Sequence, residues 1–535
     1  LKKHLKNLRK TMLSKSITYV NPLSLSDSYK VTQPGLFSTG DGSKLVHLEA
    51  CIEPRVDKNH PDDLILVFGL SEISKLISEM IVTKENIQEF SDLSALHFMN
   101  PSIFDPTPWN YVVDNLGGKI PLIIEGLPEG SIVRRGTPIC KIISTIPECA
   151  TFVSYFEGFI QSHLWYLSTV ASRSLEYSRV IKEFLLLTEG SSASLPFKHQ
   201  DFGFRAGTSF LSSILAGMAH LLVSKGSDTI SSVLEWWKRN GRAGEISGYS
   251  VIAFEHNQII SMGPDFEFLI IKNALDIHPS GIISVLCDTF DSVANVNEIS
   301  RRPCTVSYVE HFHRFDDDYA VYLDKMKKQT GLFKQISQRP EGSTYVIRPD
   351  SKIVYNGVKL SVSQTVLKIL EILQFNLGEL ITTNALGYKL LPSYFRIIYG
   401  DGLNVNDVRQ ILTSMYQNGW SADNIVFGTG GNLYQTDVTR STYDFSMKCY
   451  LSKFEKDGVI RTYNIKKITP GKESKSGPFI VGKLPNCEFV YEPLTDDNKE
   501  HDQFVTYYNN GQVLCYEDLF TIRKRVEEFR ETNNI

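Results

Sequence analysis

The chain has 535 residues, enough for two or more domains with a sizeable core. Its 56 basic and 60 acidic side chains leave a formal charge of −4, which gives no support for nucleic acid or a membrane surface as main partner. No run approaches the roughly 18 apolar residues of a membrane helix, and the eight cysteines form no Cys-x-x-Cys pair, so they read as reduced thiols of a cytoplasmic protein rather than zinc ligands or a disulfide framework.

Residues 1–20 carry Lys2, Lys3, Lys6, Arg9, Lys10 and Lys15 and no acid, and read as a disordered basic extension, with a targeting presequence as the alternative. Ser26 and Asp27 are placed to cap a short helix. Strands are expected over 45–70 and a helix over Ser71–Glu89. Between Ile120 and Ile146, apolar runs separated by Pro128-Glu129-Gly130 and Arg135-Gly136 suggest a small antiparallel unit. Thr151–Leu187 reads as a long helix whose aromatics, Trp165 among them, belong to a core.

From His199 the pattern becomes strand, loop, helix, repeated. Asp201-Phe202-Gly203-Phe204-Arg205 and the polar loop Lys225–Thr229 each precede a helix. Tyr249–Phe254 ends in Glu255-His256, Ile282–Leu286 in Cys287-Asp288, and Tyr345–Ile347 in Arg348-Pro349-Asp350-Ser351. Phe395–Tyr399 ends in Gly400-Asp401-Gly402 and Ile425–Phe427 in Gly428-Thr429-Gly430-Gly431. Val366, Leu367, Leu370 and Leu373 share one helical face; Val405, Val408, Leu412 and Met415 share another, with Gly419 where that helix would stop. Such a rhythm predicts parallel strands with crossover helices. Polar residues at one end only of apolar strands point to a shared cleft, and glycine loops before helices let backbone N–H groups approach phosphate oxygens.

Residues 300–343 break the rhythm. Their His311, His313, Asp316, Asp317 and Asp318 read as a solvated insertion, a metal site being the alternative. After Arg440 come many lysines, either a solvated strand face or a polyphosphate funnel, and Glu517–Arg530 reads as a polar helix. The expected division is 1–20, 21–190, 191–440 with the insertion, and 441–535.

Taken together, Asp27-Ser28-Tyr29-Lys30, Asp201–Arg205, Lys225–Thr229, Gly248-Tyr249-Ser250-Val251, Glu255-His256, Arg348–Ser351, Gly387–Pro392, Gly400–Gly402 and Gly428–Gly431 resemble the nicotinamide phosphoribosyltransferases, among the type II phosphoribosyltransferases, from about Asn21 to the C-terminal helix. The resemblance implies an α/β fold: an irregular (βα) barrel of the type II phosphoribosyltransferase kind, with a second α+β domain built from both chain ends. It implies nicotinamide, phosphoribosyl pyrophosphate and ATP as partners, Mg²⁺ as cofactor, and a homodimer with shared active sites. By the same resemblance, Asp288 and Asp350 hold ribose hydroxyls and Mg²⁺. Phe202 stacks on the pyridine ring opposite Tyr29 of a second subunit, and Arg205, Ser284 and Arg348 line that pocket. The loops of Gly400, Asp401, Gly402, Gly430 and Gly431 cradle the 5′-phosphate, with Arg440, Lys448, Lys466 and Lys472 as basic phosphate contacts. His256, beside Glu255, matches a histidine phosphorylated by ATP; a plain strand-end histidine is the alternative. Asp228 separates the nicotinamide reading from the nicotinate one, because a carboxylate accepts from an amide NH₂ and repels a carboxylate. A non-catalytic binding protein on the same scaffold, or an unrelated phosphate-binding barrel enzyme, are the remaining readings.

Overall fold

The computed structural model describes residues 20–37, 40–60, 63–241, 245–300, 332–400, 402–470 and 472–535; the basic side chains before Val20, the segment with His311, His313 and Asp316–Asp318, and Asp401 lie outside the described residues. Two compact units divide the chain, one formed by residues up to Ser172 with Val438–Asn534, the other by Arg173–Asp437.

The first unit holds a seven-stranded antiparallel sheet in the order Val459–Asn464, Phe445–Lys456, Lys44–Pro54, Cys140–Ser144, Leu122–Gly126, Val505–Asn509, Gln512–Val513. Its core gathers Leu48, Ile52, Ile124 and Ile142 of the sheet with Trp109, Phe152 and Phe156 of the helices. The Pro128-Glu129-Gly130 turn does more than reverse the chain. Glu129 is fully buried, and its carboxylate accepts Gly69 N–H at 2.8 Å, Ser71 N–H at 3.1 Å and Ser71 Oγ–H at 2.7 Å. It thereby satisfies the open N–H groups at the start of the helix Leu70–Glu79.

Three expectations need correction here. The run Ser71–Glu89 forms two helices, Leu70–Glu79 and Lys84–His97, because Thr83 caps the second through Asn86 and the β-branched Ile81-Val82 precede it. Ser26 and Asp27 do not cap through their side chains: Ser26 Oγ donates to Tyr155 O at 2.6 Å, and Asp27 makes no capping bond. The division of the chain falls inside the long helix Glu157–Glu189 rather than after residue 190. Ile160 and Leu164 of that helix pack in the first core, whereas Tyr177, Ile181 and Leu185 pack in the second.

The second unit is a sheet of seven parallel strands: in chain order His199–Asp201, Gly226–Ser227, Ile252–Ala253, Ile282–Leu286, Thr344–Arg348, Phe395–Tyr399 and Ile425–Thr429. In space they run second, first, seventh, sixth, fifth, fourth, third. The two edges meet through a parallel bridge between Gly226 and Tyr249, closing the ring. This closure explains why the expected strand Tyr249–Phe254 is shorter: Tyr249 pairs with one neighbour and Ile252–Ala253 with the other, Ile283–Ser284. Outside the ring, Val366, Ile369, Leu370 and Leu373, with Val408, Ile411, Leu412 and Met415, bury against Tyr345, Ile347, Phe395, Ile397, Ile425 and Phe427. Leu367 is only partly buried there. Ser361 Oγ and Asn404 Oδ1 cap the two helices, and the second stops at Gln417, before the left-handed Gly419 (φ +73°).

Replacing Glu129 by Ala leaves three buried donors unsatisfied. The expected loss is about 2–4 kcal/mol of stability, to be read as a lower midpoint in chemical denaturation.

Candidate active site

Because all seven strands are parallel, their carboxyl ends open on one side of the ring, and the polar strand ends converge there. Asp201 ties three of them together. Its buried carboxylate accepts Gly203 N–H, Ser227 Oγ–H and Tyr434 O–H, each at 2.8 Å. Its carbonyl accepts Asp228 N–H at 2.9 Å. Phe202, next in sequence, donates its N–H to Thr429 O at 2.9 Å and lays its ring over two glycines. A Cβ on Gly400 would sit 3.1 Å from Phe202 Cε2 and 3.2 Å from Asp350 Oδ1, and a Cβ on Gly428 would overlap the ring outright. These two glycines therefore make room for an aromatic ring. Gly431 borders open space, and Gly402 adopts φ +60° with its carbonyl accepting Asn432 Nδ2–H at 2.6 Å.

On the opposite arc, His256 begins the helix His256–Met262, and Gln258 Oε1 accepts Glu255 N–H at 3.0 Å, so the helix start fixes the pair while Glu255 stays exposed. His256 Nδ1 lies 3.2 Å from Thr289 Oγ1. Its Nε2 points between two carboxylates, 3.8 Å from Asp288 Oδ1 and 3.9 Å from Asp350 Oδ2. Asp288 Oδ2 accepts Asp350 N–H at 3.1 Å and Ser351 Oγ–H at 2.5 Å. Asp288 Oδ1, by contrast, is buried without a hydrogen-bond partner among the described residues. Arg348 Nη2 donates to Phe254 O at 2.5 Å, and its Nε lies 3.4 Å from Asp350 Oδ1. An orphaned carboxylate oxygen beside a second carboxylate suits a hard divalent cation. Among the described residues no group of three or more His, Cys, Asp or Glu side chains could hold a metal, so substrate oxygens and water would have to complete the shell of such an ion.

Asp228 is exposed to the cleft, with Ser250 Oγ–H donating to its Oδ1 at 2.5 Å. Desolvation by the surrounding protein pushes its carboxyl above the usual carboxylate range; the Ser250 bond and Arg348 oppose this, and the charge of Asp201 adds to it. Ser284 is buried, its hydroxyl without a hydrogen-bond partner among the described residues, and Arg205 is exposed on the turn after Phe202. Sequence reasoning missed Asp201, Ser227 and Tyr434 as the frame of the cleft, and Ser250, Thr289 and Ser351 as partners of the predicted residues. Asp201, Ser227, Ser250 and Ser351 lay within the quoted motifs, but nothing in their spacing disclosed those bonds.

The remaining predicted residues belong to the first unit and are not among these strand ends. Tyr29 is 57% exposed. Arg440 Nη1 donates to Phe445 O at 2.7 Å, and Lys448 Nζ to Met447 O at 2.6 Å, with burial drawing the lysine below its ordinary range. Lys466 and Lys472 are exposed.

The chain matches the model of the nicotinate phosphoribosyltransferase (NAPRTase) family over residues 197–512 and that of the nicotinamide phosphoribosyltransferase N-terminal domain over 21–124. It is 30% identical to a nicotinamide phosphoribosyltransferase of Xanthomonas campestris pv. campestris, over 95% of this chain and 99% of that one. With a nicotinamide phosphoribosyltransferase of Acinetobacter baylyi it shares 25% identity, over 96% and 99% of the two chains. The crystal structure of nicotinate-nucleotide pyrophosphorylase from Pyrococcus furiosus superposes with a TM-score of 0.55 at 15% identity, covering 97% of this chain and 99% of that one, a likeness of fold.

The glycine geometry makes a paired expectation. Gly428→Ala forces the Phe202 ring to move and is expected to lower stability by about 1–3 kcal/mol. Gly431→Ala, facing open space, should stay within about 0.5 kcal/mol of the parent. Thermal denaturation of the two variants side by side is the measurement.

Proposed function

The chain belongs to the nicotinate phosphoribosyltransferase family, and from that premise we propose that it transfers the phosphoribosyl group of phosphoribosyl pyrophosphate to nicotinamide, giving nicotinamide mononucleotide and pyrophosphate. The observation that carries this reading is the Asp288–Asp350–His256 cluster at adjoining strand ends, facing Phe202 and Asp228 across one ring. In the reaction the C1–O bond to pyrophosphate breaks while the pyridine nitrogen bonds to C1. Positive charge develops on the ribose, and the pair Asp288 and Asp350 stabilises it and orients the hydroxyls. The same two carboxylates would hold Mg²⁺, which when bound would supply charge neutralisation for the departing pyrophosphate. Phe202 gives the pyridine ring a face to stack on. Arg205, Ser284 and Arg348 complete its pocket, and the Gly400–Gly402 and Gly430–Gly431 loops receive the 5′-phosphate.

Asp228 selects the substrate. Its carboxylate, oriented by Ser250, accepts from the amide NH₂ of nicotinamide and repels nicotinate. One observation favours a nicotinate-using minority: the raised carboxyl of Asp228, when protonated, donates to a carboxylate instead. Use of nicotinate relative to nicotinamide should accordingly grow as pH falls.

ATP coupling through His256 is the further part of the proposal. Nδ1 is engaged by Thr289, leaving Nε2 on the carboxylate side as the atom to be phosphorylated. A homodimer is also proposed. Phe204, Phe210 and Leu211, with Ile230, Leu234 and Trp237 on the adjoining helix, are between 38% and 80% exposed and form an apolar face beside the cleft. By the family resemblance, a two-fold dimer brings the partner subunit's Tyr29 to the other face of the pyridine ring, and Arg440, Lys448, Lys466 and Lys472 serve the phosphates.

The deciding assay offers nicotinamide or nicotinate with phosphoribosyl pyrophosphate, with and without ATP. Nicotinamide mononucleotide is the expected product, and its absence under all conditions sinks the reading. Asp228→Asn should move the ratio of kcat/KM toward nicotinate by ~1–3 kcal/mol; an unmoved ratio removes Asp228 from amide recognition. His256→Ala should abolish ATP hydrolysis and leave weak transfer, and hydrolysis at the parent rate in that variant would discard the phosphohistidine.

A further inference from the structure

Beneath the cleft lies a buried cluster that the proposed chemistry leaves unused. Ser174 and Tyr177 stand three residues apart on the helix Glu157–Glu189, His220 ends the helix Phe210–His220, and His199 opens the first barrel strand. His199 and His220 are 2% and 0% exposed. Their rings meet edge to face at 4.8 Å, and the Tyr177 ring lies 4.6 Å from that of His199.

The polar bonds of this cluster run to the loops of the cleft. Tyr177 O–H donates to Leu403 O at 2.8 Å, directly after Gly402. His199 Nε2 lies 2.6 Å from Thr429 Oγ1, directly before Gly430, and Thr429 O in turn holds Phe202 N–H. His220 Nε2 faces Gly226 O at 3.0 Å and carries a proton there, and its Nδ1 lies 2.6 Å from Ser174 Oγ. Gly226 stands two residues before Asp228. Burial first, then the charge of His220, holds His199 well below the ordinary histidine range, so it stays neutral at physiological pH.

We infer that Tyr177 and His199 are positioning residues for the phosphate end of the substrate: one fixes the Gly402 loop, the other the Gly430 loop, and the contact of their tilted rings sets the distance between the two. Ser174 and His220 form a second arm that steadies the strand leading to Asp228, at the pyridine end. A glycine loop has no side chain of its own to hold its place, so the alignment of its N–H groups depends on what its flanking carbonyl and hydroxyl are tied to. Small shifts of such groups matter because binding and catalysis depend steeply on geometry.

The inference rests on the transfer reaction proposed above, and its test separates the two. Tyr177→Phe keeps the ring and loses the hydroxyl. Thr429→Val keeps the volume and loses the partner of His199, and Thr429→Ser restores it. In Tyr177→Phe and Thr429→Val, KM for phosphoribosyl pyrophosphate should rise about three- to tenfold while KM for nicotinamide stays within about twofold, as expected for one lost hydrogen bond. Thr429→Ser should return the first constant to the parent value. Ser174→Ala should move KM for nicotinamide instead. Lowered melting temperatures with both constants unmoved, or moved together, would show a merely structural cluster and overturn the inference. If the parent protein makes no nicotinamide mononucleotide, the reaction is wrong, and calorimetric titration with ribose 5-phosphate decides the positioning role alone. Weakening by about threefold or more in Tyr177→Phe supports it, and unchanged affinity overturns it.

Discussion

A single buried carboxylate organises half of the cleft. Asp201 accepts three hydrogen bonds at 2.8 Å, from a backbone amide, a serine and a tyrosine, which lie on or after the first, second and seventh strands. A buried charge is tolerated only when its oxygens are satisfied, so these three groups have little freedom to choose other partners. Their positions carry the rest along. Gly203 sets the turn that aims Phe202, Ser227 precedes Asp228, and Tyr434 closes the short helix begun by Gly431. The ring of parallel strands supplies the coarse convergence of the site, and Asp201 supplies the registration between neighbouring ends.

The opposite arc is arranged differently. Asp288 and Asp350 sit close together with one buried oxygen unpartnered among the described residues, while on the Asp201 side Asp228 carries a carboxyl whose protonation is favoured by its surroundings. A carboxyl whose folded-state pKa exceeds its unfolded value lowers stability once the pH rises above that unfolded value. Asp228 therefore subtracts from folding at neutral pH, and Asp288 leaves a polar atom uncompensated. Both are the kind of local cost found where a structure is shaped for a ligand rather than for itself.

How much of this could be read from the sequence depended on distance along the chain. Five of the seven strand ends were legible because each is a local event, an apolar run followed at once by polar or glycine residues, as at Ile282–Asp288 and Phe395–Gly402; the short polar strands His199–Asp201 and Gly226–Ser227 carry no such run. The barrel followed from their repetition. The break after Glu79 was missed because Met80-Ile81-Val82 prolongs the apolar spacing and only the Thr83–Asn86 cap marks the restart. Glu129 looked like a turn residue because its partners lie 58 and 60 positions away. Gly428 and Gly400 read as glycines of the phosphate loops, and no local signal disclosed that they also make room for the ring of Phe202, some two hundred residues earlier. Tyr177 and His199 gave no signal at all, since an aromatic on a long helix and a histidine on a strand are ordinary core residues until their hydroxyl and imidazole are traced to Leu403 and Thr429.

The first unit's sheet has a consequence for how the chain acquires its structure. Lys44–Pro54 is completed by Phe445–Lys456, and Arg55 reaches Ser446 across 391 residues of sequence. During synthesis from the amino end, all of Arg173–Asp437 emerges before that partner strand exists. The barrel, whose strands find their neighbours within its own stretch, can assemble while Lys44–Pro54 still waits with one edge open. A waiting β edge invites pairing with another chain. The slowest and most aggregation-exposed stage of folding thus falls on the sheet rather than on the barrel that bears the candidate site.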